Sequence, residues 1–377
     1  MSSEEIRLEV DPNQAILVVR ADRLGDVVLS TPVFEVIKRN YPKSKLVAMV
    51  QRPIVSVIAG LPSIDEVMVY DPRGSHAGLK GFLSLIKEIR AHKFRIAVVL
   101  HSQWKLSLAI YLAGVRYRVG PLSKFHSYLF YNRGLRQHRS QVEMHETDYN
   151  LQLLRKIGIR VSARSVPVRV HLDPSRRNEA LEWLKSKGWS SNTPLIGVHP
   201  GMGGSALNWP ESHYVELIRA LTKDKRGVLV TGGPTEGMML KRVQEALGED
   251  SKKIIFYGGT TDIKSLDYLA GLYSWTSVVI APSTGPLHLA TALGKPVVTF
   301  YPPIRVQSAI RWGPYLSDDT HASVLVPDVY CGEDFSCRLH LCNYYPCMKS
   351  LTVSQALEET ENHLKRGNLE NEKNKST

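Results

Sequence analysis

Residues 15–39 read AILVVRADRLGDVVLSTPVFEVIKR. Ala15 to Arg20 is a short run rich in Val and Ile, the composition of a strand buried on both faces, and Val27 to Arg39 has helical period. A strand, a turn holding Gly25 and a helix make the first half of a βαβ unit. Working outward, the alternation continues with strands expected at Lys45–Val50, Glu66–Tyr70, Arg95–His101 and Tyr117–Val119, and helices at Leu79–Ala91, Leu106–Ala113 and Glu146–Ile157. After a polar stretch, Asp173 to Asn178, the pattern restarts. Strands are expected at Leu195–His199, Gly227–Thr231, Lys253–Tyr257, Ser277–Ala281 and Pro296–Tyr301, with helices at Glu211–Thr222, Glu236–Leu247 and Gly285–Leu293. No fixed-period repeat accompanies the alternation. The expected class is α/β, two Rossmann-like doubly wound domains (1–172 and 173–353) facing across a cleft. A helix over Ser354–Arg366 and a polar, frayed tail complete residues 354–377. Ligands of such sheets bind beyond the carboxyl ends of the strands, so the loops after the strands are where chemistry is expected.

Composition narrows the function classes. With 377 residues, 43% of them hydrophobic and 22% charged, the chain is neither disordered, collagen-like nor a multi-span membrane protein. Its four cysteines all lie between Cys331 and Cys347, which does not suit a disulfide-stapled secreted scaffold and fits a reducing cytoplasm. The opening MSSEEIRLEV lacks a basic and then apolar leader, and no apolar run reaches the roughly 18 residues of a spanning helix. The expectation is a chain neither exported nor membrane-spanning. The net charge of +12 is uneven: residues 1–172 hold 26 Lys and Arg against 14 Asp and Glu, whereas 173–377 hold 22 of each. Between Ile89 and Val142 there is no acidic residue and there are ten basic ones, from Arg90 to Arg139. That half is expected to meet something anionic; a solvated basic face with no partner is the alternative.

Three loops carry candidate chemistry. In the first, Asp26 falls where a helix begins, and two readings stand: an N-cap, or a carboxylate placed beside a substrate. The second is HPGMGGSALNWP, residues 199–210, whose Gly201, Gly203, Gly204 and Ser205 let a phosphate approach backbone N–H groups. Gly201, Gly203 and Ala206 also fit G-x-G-x-x-A, but the following helix starts later than a nicotinamide fold requires. The third is APSTGPLHLATALGKP, residues 281–296. There Ser283 and Thr284 end a strand, and Gly285 and Pro286 open a helix, an anion site at a helix N-terminus. His288 on that helix is either a packing residue or a ligand contact. Cys331, Cys337, Cys342 and Cys347 could hold Zn²⁺ or an iron–sulfur cluster, although their spacing is looser than paired C-x2-C; a structural cluster is the other reading.

RLGDVVLSTP, HPGMGGSALNWP, TGGP at Thr231–Pro234 and PSTGPLHLATALGKPVVTFYP, in this order and spacing, resemble glycosyltransferase family 9, the heptosyltransferases of the lipopolysaccharide inner core. The resemblance implies a GT-B architecture and an inverting, metal-independent transfer of L-glycero-D-manno-heptose from ADP-heptose, without a cofactor. It implies that Asp26 is the general base. It also implies that Thr284, Gly285 and His288 hold the donor diphosphate, with Ser283 where some members have Asp. The loop Met202–Ser205, containing Gly203 and Gly204, and Gly233 of TGGP join the donor site. One position departs: where many members place Lys two residues before the WP tryptophan, this chain has Leu207, leaving Arg305, Arg311, Arg23 or backbone N–H groups to neutralise the leaving diphosphate. The chain has no Asp-x-Asp pair, in keeping with dispensing with metal. The basic half then meets a phosphorylated, Kdo-bearing lipid A-type acceptor through Arg23, Arg116, Arg118 and Arg136, and the enzyme works in the cytoplasm, peripheral to the inner-leaflet surface. Two alternatives remain at this level: a related transferase using another nucleotide sugar for a surface polysaccharide, and a nucleic-acid-binding protein. No RRM, KH, helix-turn-helix or zinc-finger pattern accompanies the charge, so nucleic acid is not the expected partner.

Overall fold

The computed structural model describes residues 14–375, apart from 205, 224–225, 260–264, 318–319 and 332–335. The chain divides into two compact units, Met1–Arg139 with Glu143–His171, and Ser140–Val142 with Leu172–Thr377. In the first, β1 (Ile16–Val19), β2 (Leu46–Val50), β3 (Glu66–Val69), β4 (Ile96–Val99), β5 (Tyr117–Pro121) and β6 (Arg133–Leu135) form a parallel sheet ordered β3-β2-β1-β4-β5-β6. Ile16 pairs with both Leu46 and Ile96, so strand order reverses between β1 and β4. Every residue of β1, β2 and β4 is buried, as uninterrupted apolar runs in a sheet covered on both faces require.

The helices of this unit are α1 (Leu24–Val28), α2 (Thr31–Asn40), α3 (Val55–Ile58), α4 (Gly78–Ala91), α5 (Trp104–Leu112), α6 (Phe125–Phe130) and α7 (Glu146–Gln152). Leu85 and Ile89 of α4, Leu106 and Ile110 of α5 and Phe130 of α6 pack in one core with Leu17, Val19, Val47 and Val99, so these three helices layer one face of the sheet. The single helix expected over Val27–Arg39 is broken at Leu29–Ser30. Pro32 lacks the N–H a continuous ladder would need, and its ring would crowd the carbonyl of Val28. The end of α1 is closed instead by side chains: Ser30 Oγ donates to Asp26 O at 2.7 Å and Thr31 Oγ1 to Val28 O at 2.8 Å. Asp26 therefore sits inside the first turn of α1, and the N-cap position is Arg23.

The second unit repeats the scheme with β7 (Leu195–Val198), β8 (Gly227–Thr231), β9 (Ile255–Tyr257), β10 (Val278–Pro282), β11 (Val297–Phe300) and β12 (Ala322–Leu325), all parallel and ordered β12-β11-β10-β7-β8-β9. Its helices are α8 (Pro174–Ser186), α9 (Glu211–Leu221), α10 (Gly237–Leu247), α11 (Leu266–Ser274), α12 (Gly285–Ala292), α13 (Ala309–Trp312) and α14 (Val353–Lys375). The polar stretch Asp173–Asn178 is no linker. It opens α8, with Asp173 Oδ1 accepting the Ser175 N–H at 2.8 Å and Pro174 at the first helical position. The tail expected to fray after Arg366 stays helical to Lys375. The edge strands β6 (RGL) and β12 (ASVL) were not expected from sequence, because half-exposed strands carry no continuous apolar run.

Trp209 ties α14 to the second sheet. Its ring stacks on Phe300 at 4.2 Å, meets Tyr214 edge-on at 4.9 Å, and its indole N–H donates to Leu351 O at 2.8 Å. Trp209→Ala should remove about 3–5 kcal/mol and lower the calorimetric midpoint of the second unit by roughly 10 °C. Trp209→Phe, which keeps most of the stacking and loses one hydrogen bond, should cost about 1 kcal/mol. An unchanged midpoint in Trp209→Ala would show that this aromatic cluster is not what holds the carboxyl-terminal segment.

Candidate functional site

At the carboxyl edge of the first sheet, where strand order reverses, the chain leaves β1 through Arg20. The Arg20 guanidinium is buried, 3% exposed, and is ringed by carboxylates: Nη2 donates to Asp26 Oδ1 at 2.5 Å, Nε to Asp22 Oδ1 at 2.9 Å and Nη1 to Glu146 Oε1 at 3.3 Å. Asn150 Oδ1 accepts a further bond at 3.4 Å, and Arg139 donates to Glu146 from the other side. His101, just past β4, brings Nδ1 to 2.8 Å from Asp22 Oδ2. Two residues of the strand–turn–helix, Asp22 and Asp26, and two of α7, Glu146 and Asn150, thus meet around one guanidinium.

The electrostatics of this group are asymmetric. Burial works against the Arg20 charge, but Asp22, Asp26 and Glu146 more than offset it, and the guanidinium is held protonated beyond its ordinary range. Asp26 moves the other way. Burial, reinforced by the Asp22 and Glu146 charges, raises its carboxyl above the ordinary value even though Arg20 pulls it down. Asp26 remains partly exposed, 19% of its side chain, so a carboxylate whose ionisation is disfavoured is also one that solvent reaches. That combination suits a proton acceptor operating near neutral pH.

In the second unit the order reverses between β7 and β10, and the loops after β7, β8 and β10 converge there; His199 N donates to Ile280 O at 2.8 Å across the two strands. Thr284, in the N-cap position of α12, is extended (φ −147°, ψ 166°) and its hydroxyl makes no cap bond. Gly285 opens the helix and Pro286 follows, so the first turn presents backbone N–H groups without a side-chain cap, a place for an anion. Ser283 bonds to the Tyr301 hydroxyl. His288 is buried within α12, 4% exposed. After β7, Gly204 adopts φ +72°, which favours glycine, and Gly203 and Gly204 are exposed. Ser205 lies outside the described residues.

Beneath this loop runs a polar chain that sequence reading did not anticipate. Tyr273 OH lies 2.9 Å from Thr231 Oγ1, which lies 2.9 Å from His199 Nδ1, and His199 Nε2 is 3.4 Å from Glu236 Oε2. Burial lowers the His199 pKa, while the neighbouring Glu236 carboxylate pulls it the other way. The Gly233 N–H donates to the same oxygen at 2.6 Å. A side chain at 201 would place Cβ 2.2 Å from the Glu236 carboxyl carbon, so Gly201 makes room for a carboxylate as well as for the loop.

Not every candidate gathers at these edges. Arg116 and Arg118 stand at the amino end of β5, the opposite edge of a parallel sheet from Asp26. Arg118 donates to Phe130 O and Val115 O, both at 2.6 Å, and lies over the Tyr111 ring; Arg116, Arg95 and Arg133 surround Tyr117. These arginines are not assembled with Asp26, because net charge along a chain carries no information about which edge a residue reaches. Arg136 follows β6 and Lys124 follows β5, on the Asp26 edge, and Arg23 caps α1. Leu207 packs against the hydrophobic core of the second unit, an apolar role at the position where a cation was missed. Cys331, Cys337 and Cys342 join burial in raising the Cys347 thiol, so the four lie close together; no disulfide links them. Among the described residues, no group of three or more His, Cys, Asp or Glu is disposed to hold a metal ion, and no helix is long and apolar enough to cross a membrane. Arg20, Asp22, His101, His199 and Glu236 were missed. The one signal that could have found them is position, since Arg20, Asp22, His101 and His199 flank strand ends.

Comparison with known proteins agrees with this geometry. The profile of glycosyltransferase family 9 (heptosyltransferase) matches residues 82–340. A Haemophilus influenzae protein named as a candidate glycosyltransferase is 30% identical over 319 residues, covering 83% of this chain and 90% of its own. Among solved structures, the glycosyl transferase family 9 protein of Veillonella parvula aligns with a TM-score of 0.82 at 24% identity, covering 96% of this chain and 100% of its own. The ADP-heptose lps heptosyltransferase II of E. coli aligns at 0.74 and 21%, covering 94% and 100%. The two parallel α/β sheets are the fold of these structures, and the chain belongs to glycosyltransferase family 9, the heptosyltransferase family.

Proposed function

We propose that the protein transfers L-glycero-D-manno-heptose from ADP-heptose to a phosphorylated, Kdo-bearing lipid acceptor of the lipopolysaccharide inner core, with inversion and without a metal. The observation that carries the reading is the Asp26 carboxylate, raised in pKa and held by Arg20 at the point where the first sheet reverses its strand order. In the proposed step Asp26 takes the proton of the acceptor hydroxyl as that oxygen attacks the anomeric carbon. The C–O bond to ADP breaks, and the diphosphate carries the electron pair away against the uncapped N-terminus of α12 at Gly285, with the Gly203–Gly204 loop beside it. The acceptor phosphates would meet cations on the same edge as Asp26, namely Arg23, Lys124 and Arg136, which replace Arg116 and Arg118 in that role. The E. coli structural neighbour, an ADP-heptose lps heptosyltransferase, supports the donor and the product class. A cytoplasmic enzyme working at the inner-leaflet surface follows from the same reading. Leu207 in the core and Ser283 bonded to Tyr301 favour a second reading, a family transferase for another nucleotide sugar; a thermal-shift panel of ADP-, UDP-, GDP- and CMP-linked sugars decides between them.

Asp26→Asn should lower kcat by about 10²- to 10⁴-fold while leaving ADP binding near wild type. Wild-type kcat/KM should show an acid limb above the ordinary carboxylate range, because the base is active only when ionised and its pKa is raised. Glu146→Gln removes a charge that raises Asp26 and should move the limb to lower pH, whereas Arg20→Gln removes the charge that lowers it and should move the limb up. Both limbs staying in place, or undiminished turnover in Asp26→Asn, would take Asp26 out of the chemistry.

Gly285→Val should weaken ADP binding in calorimetric titration by crowding the approach to the α12 N-terminus. Turnover should persist in EDTA. Wild-type ADP affinity in the variant would place the donor elsewhere, and EDTA inhibition reversed by Mg²⁺ or Mn²⁺ would refute metal independence.

A further inference from the structure

Each helix of the layer α4–α6 begins at the carboxyl edge of the first sheet, and each begins with an exposed apolar residue beside an exposed lysine. Leu79 with Lys80 opens α4, Trp104 with Lys105 opens α5, and Lys124 with Phe125 opens α6; Leu79 is 74% and Phe125 is 83% exposed. The apolar positions continue outward at helical spacing: Leu83 follows Leu79 by four, and Tyr128 and Leu129 follow Phe125 by three and four, all exposed. The helices are neighbours. α5 packs on α4 and on α6, and Lys124 Nζ donates to Ser102 O at 3.1 Å, joining the starts of α5 and α6. Their inner faces are already filled by the sheet core, so these side chains are not a core exposed by accident of truncation. From Ile89 to Val142, which spans α5, α6 and the end of α4, the sequence holds no carboxylate.

Apolar and aromatic tips interleaved with lysines, with no acid among them, suit one kind of partner: a surface whose outer layer is anionic and whose interior is hydrocarbon. A second copy of this face would bring like charges together, and a nucleic acid would leave Leu79, Phe125 and Leu129 in water. We propose that the amino-terminal turns of α4, α5 and α6 form a membrane-docking rim that lays Leu79, Trp104 and Phe125 into an anionic bilayer, with Lys80, Lys105 and Lys124 at the phosphates. The proposal rests on the lipid-acceptor reading for its purpose, since the rim lies on the same sheet edge as Asp26 and would bring that edge to the layer in which a lipid-linked sugar is presented.

The test is flotation of the full chain with vesicles of phosphatidylcholine alone and of an equal mixture of phosphatidylcholine and phosphatidylglycerol. Wild type should float with the mixed vesicles, weakly with phosphatidylcholine, and less as salt is raised. Trp104→Ser with Phe125→Ser should lower the partition coefficient about tenfold or more, and Lys80→Glu with Lys105→Glu about tenfold or more. All four residues are exposed, so unfolding midpoints should match wild type; if one pair fails to fold, the other decides. Absence of wild type from the mixed vesicles, or partition unchanged in the folded pairs, would overturn the proposal, as would a sedimentation experiment in which the serine pair dissolves a dimer while vesicle binding is unaltered. Transfer to a lipid-free, water-soluble acceptor fragment separates the two readings. If transfer fails while flotation persists, the activity assignment falls and the rim stands; if transfer persists while flotation is absent, only the rim falls.

Discussion

A parallel sheet sends the carboxyl ends of all its strands to one edge, and each crossover helix starts from that edge. In both units of this chain the central strands are short, apolar and buried, so polar groups there stand in the turns between strand and helix. Strand order reverses between β1 and β4 and again between β7 and β10, which opens the turns on either side of each reversal toward a ligand. Asp26 and His101 occupy the first such place; His199, Thr284 and Gly285 occupy the second. The amino ends of α4, α5 and α6 share the first edge for the same topological reason.

The two edges treat buried polarity differently. In the first unit the burial of one guanidinium is offset by three carboxylates, which share their remaining acceptor capacity with Arg139, His101 and solvent. Asp26 bears the opposing strain: its ionised form is disfavoured by burial and by its two like-charged neighbours. In the second unit the buried groups are neutral until the chain reaches Glu236. Tyr273, Thr231 and His199 are joined by two hydrogen bonds and His199 Nε2 lies 3.4 Å from the Glu236 carboxylate, so the loop above them rests on a connected polar chain. One arrangement suits proton transfer, the other suits holding a loop still beside an anion.

Leu207 and Ser283 mark where the chain departs from the motif it otherwise follows. Leu207 contributes to the core, and its backbone N–H is held by Gln307 Oε1 at 3.2 Å, so the segment is positioned without a cation. Ser283 is engaged with Tyr301, whose hydroxyl donates to Trp312 O. At this edge the uncapped helix terminus offers backbone N–H groups that act through fixed dipoles and need no titrating group.

What the sequence by itself determined is local: the alternation of apolar runs and helical segments that makes two α/β units, the glycine and proline punctuation at Gly203–Gly204 and Gly285–Pro286, and Asp26 one turn beyond a strand. These depend on neighbours along the chain, and backbone sterics and periodicity act over a few residues. Tertiary structure alone decided which charges meet. Arg20 finds Glu146 and Asn150 from 126 and 130 positions away, and Asp26 is raised in pKa first by its burial in the folded unit and then by the Asp22 and Glu146 charges gathered there. Arg116 and Arg118 were expected, by their place in a basic run, to meet the acceptor, and they stand at the amino end of β5 while Asp26 stands beyond the carboxyl end of β1. Electrostatic interaction falls off with distance in space, and only the pairing of the strands converts position in the chain into that distance.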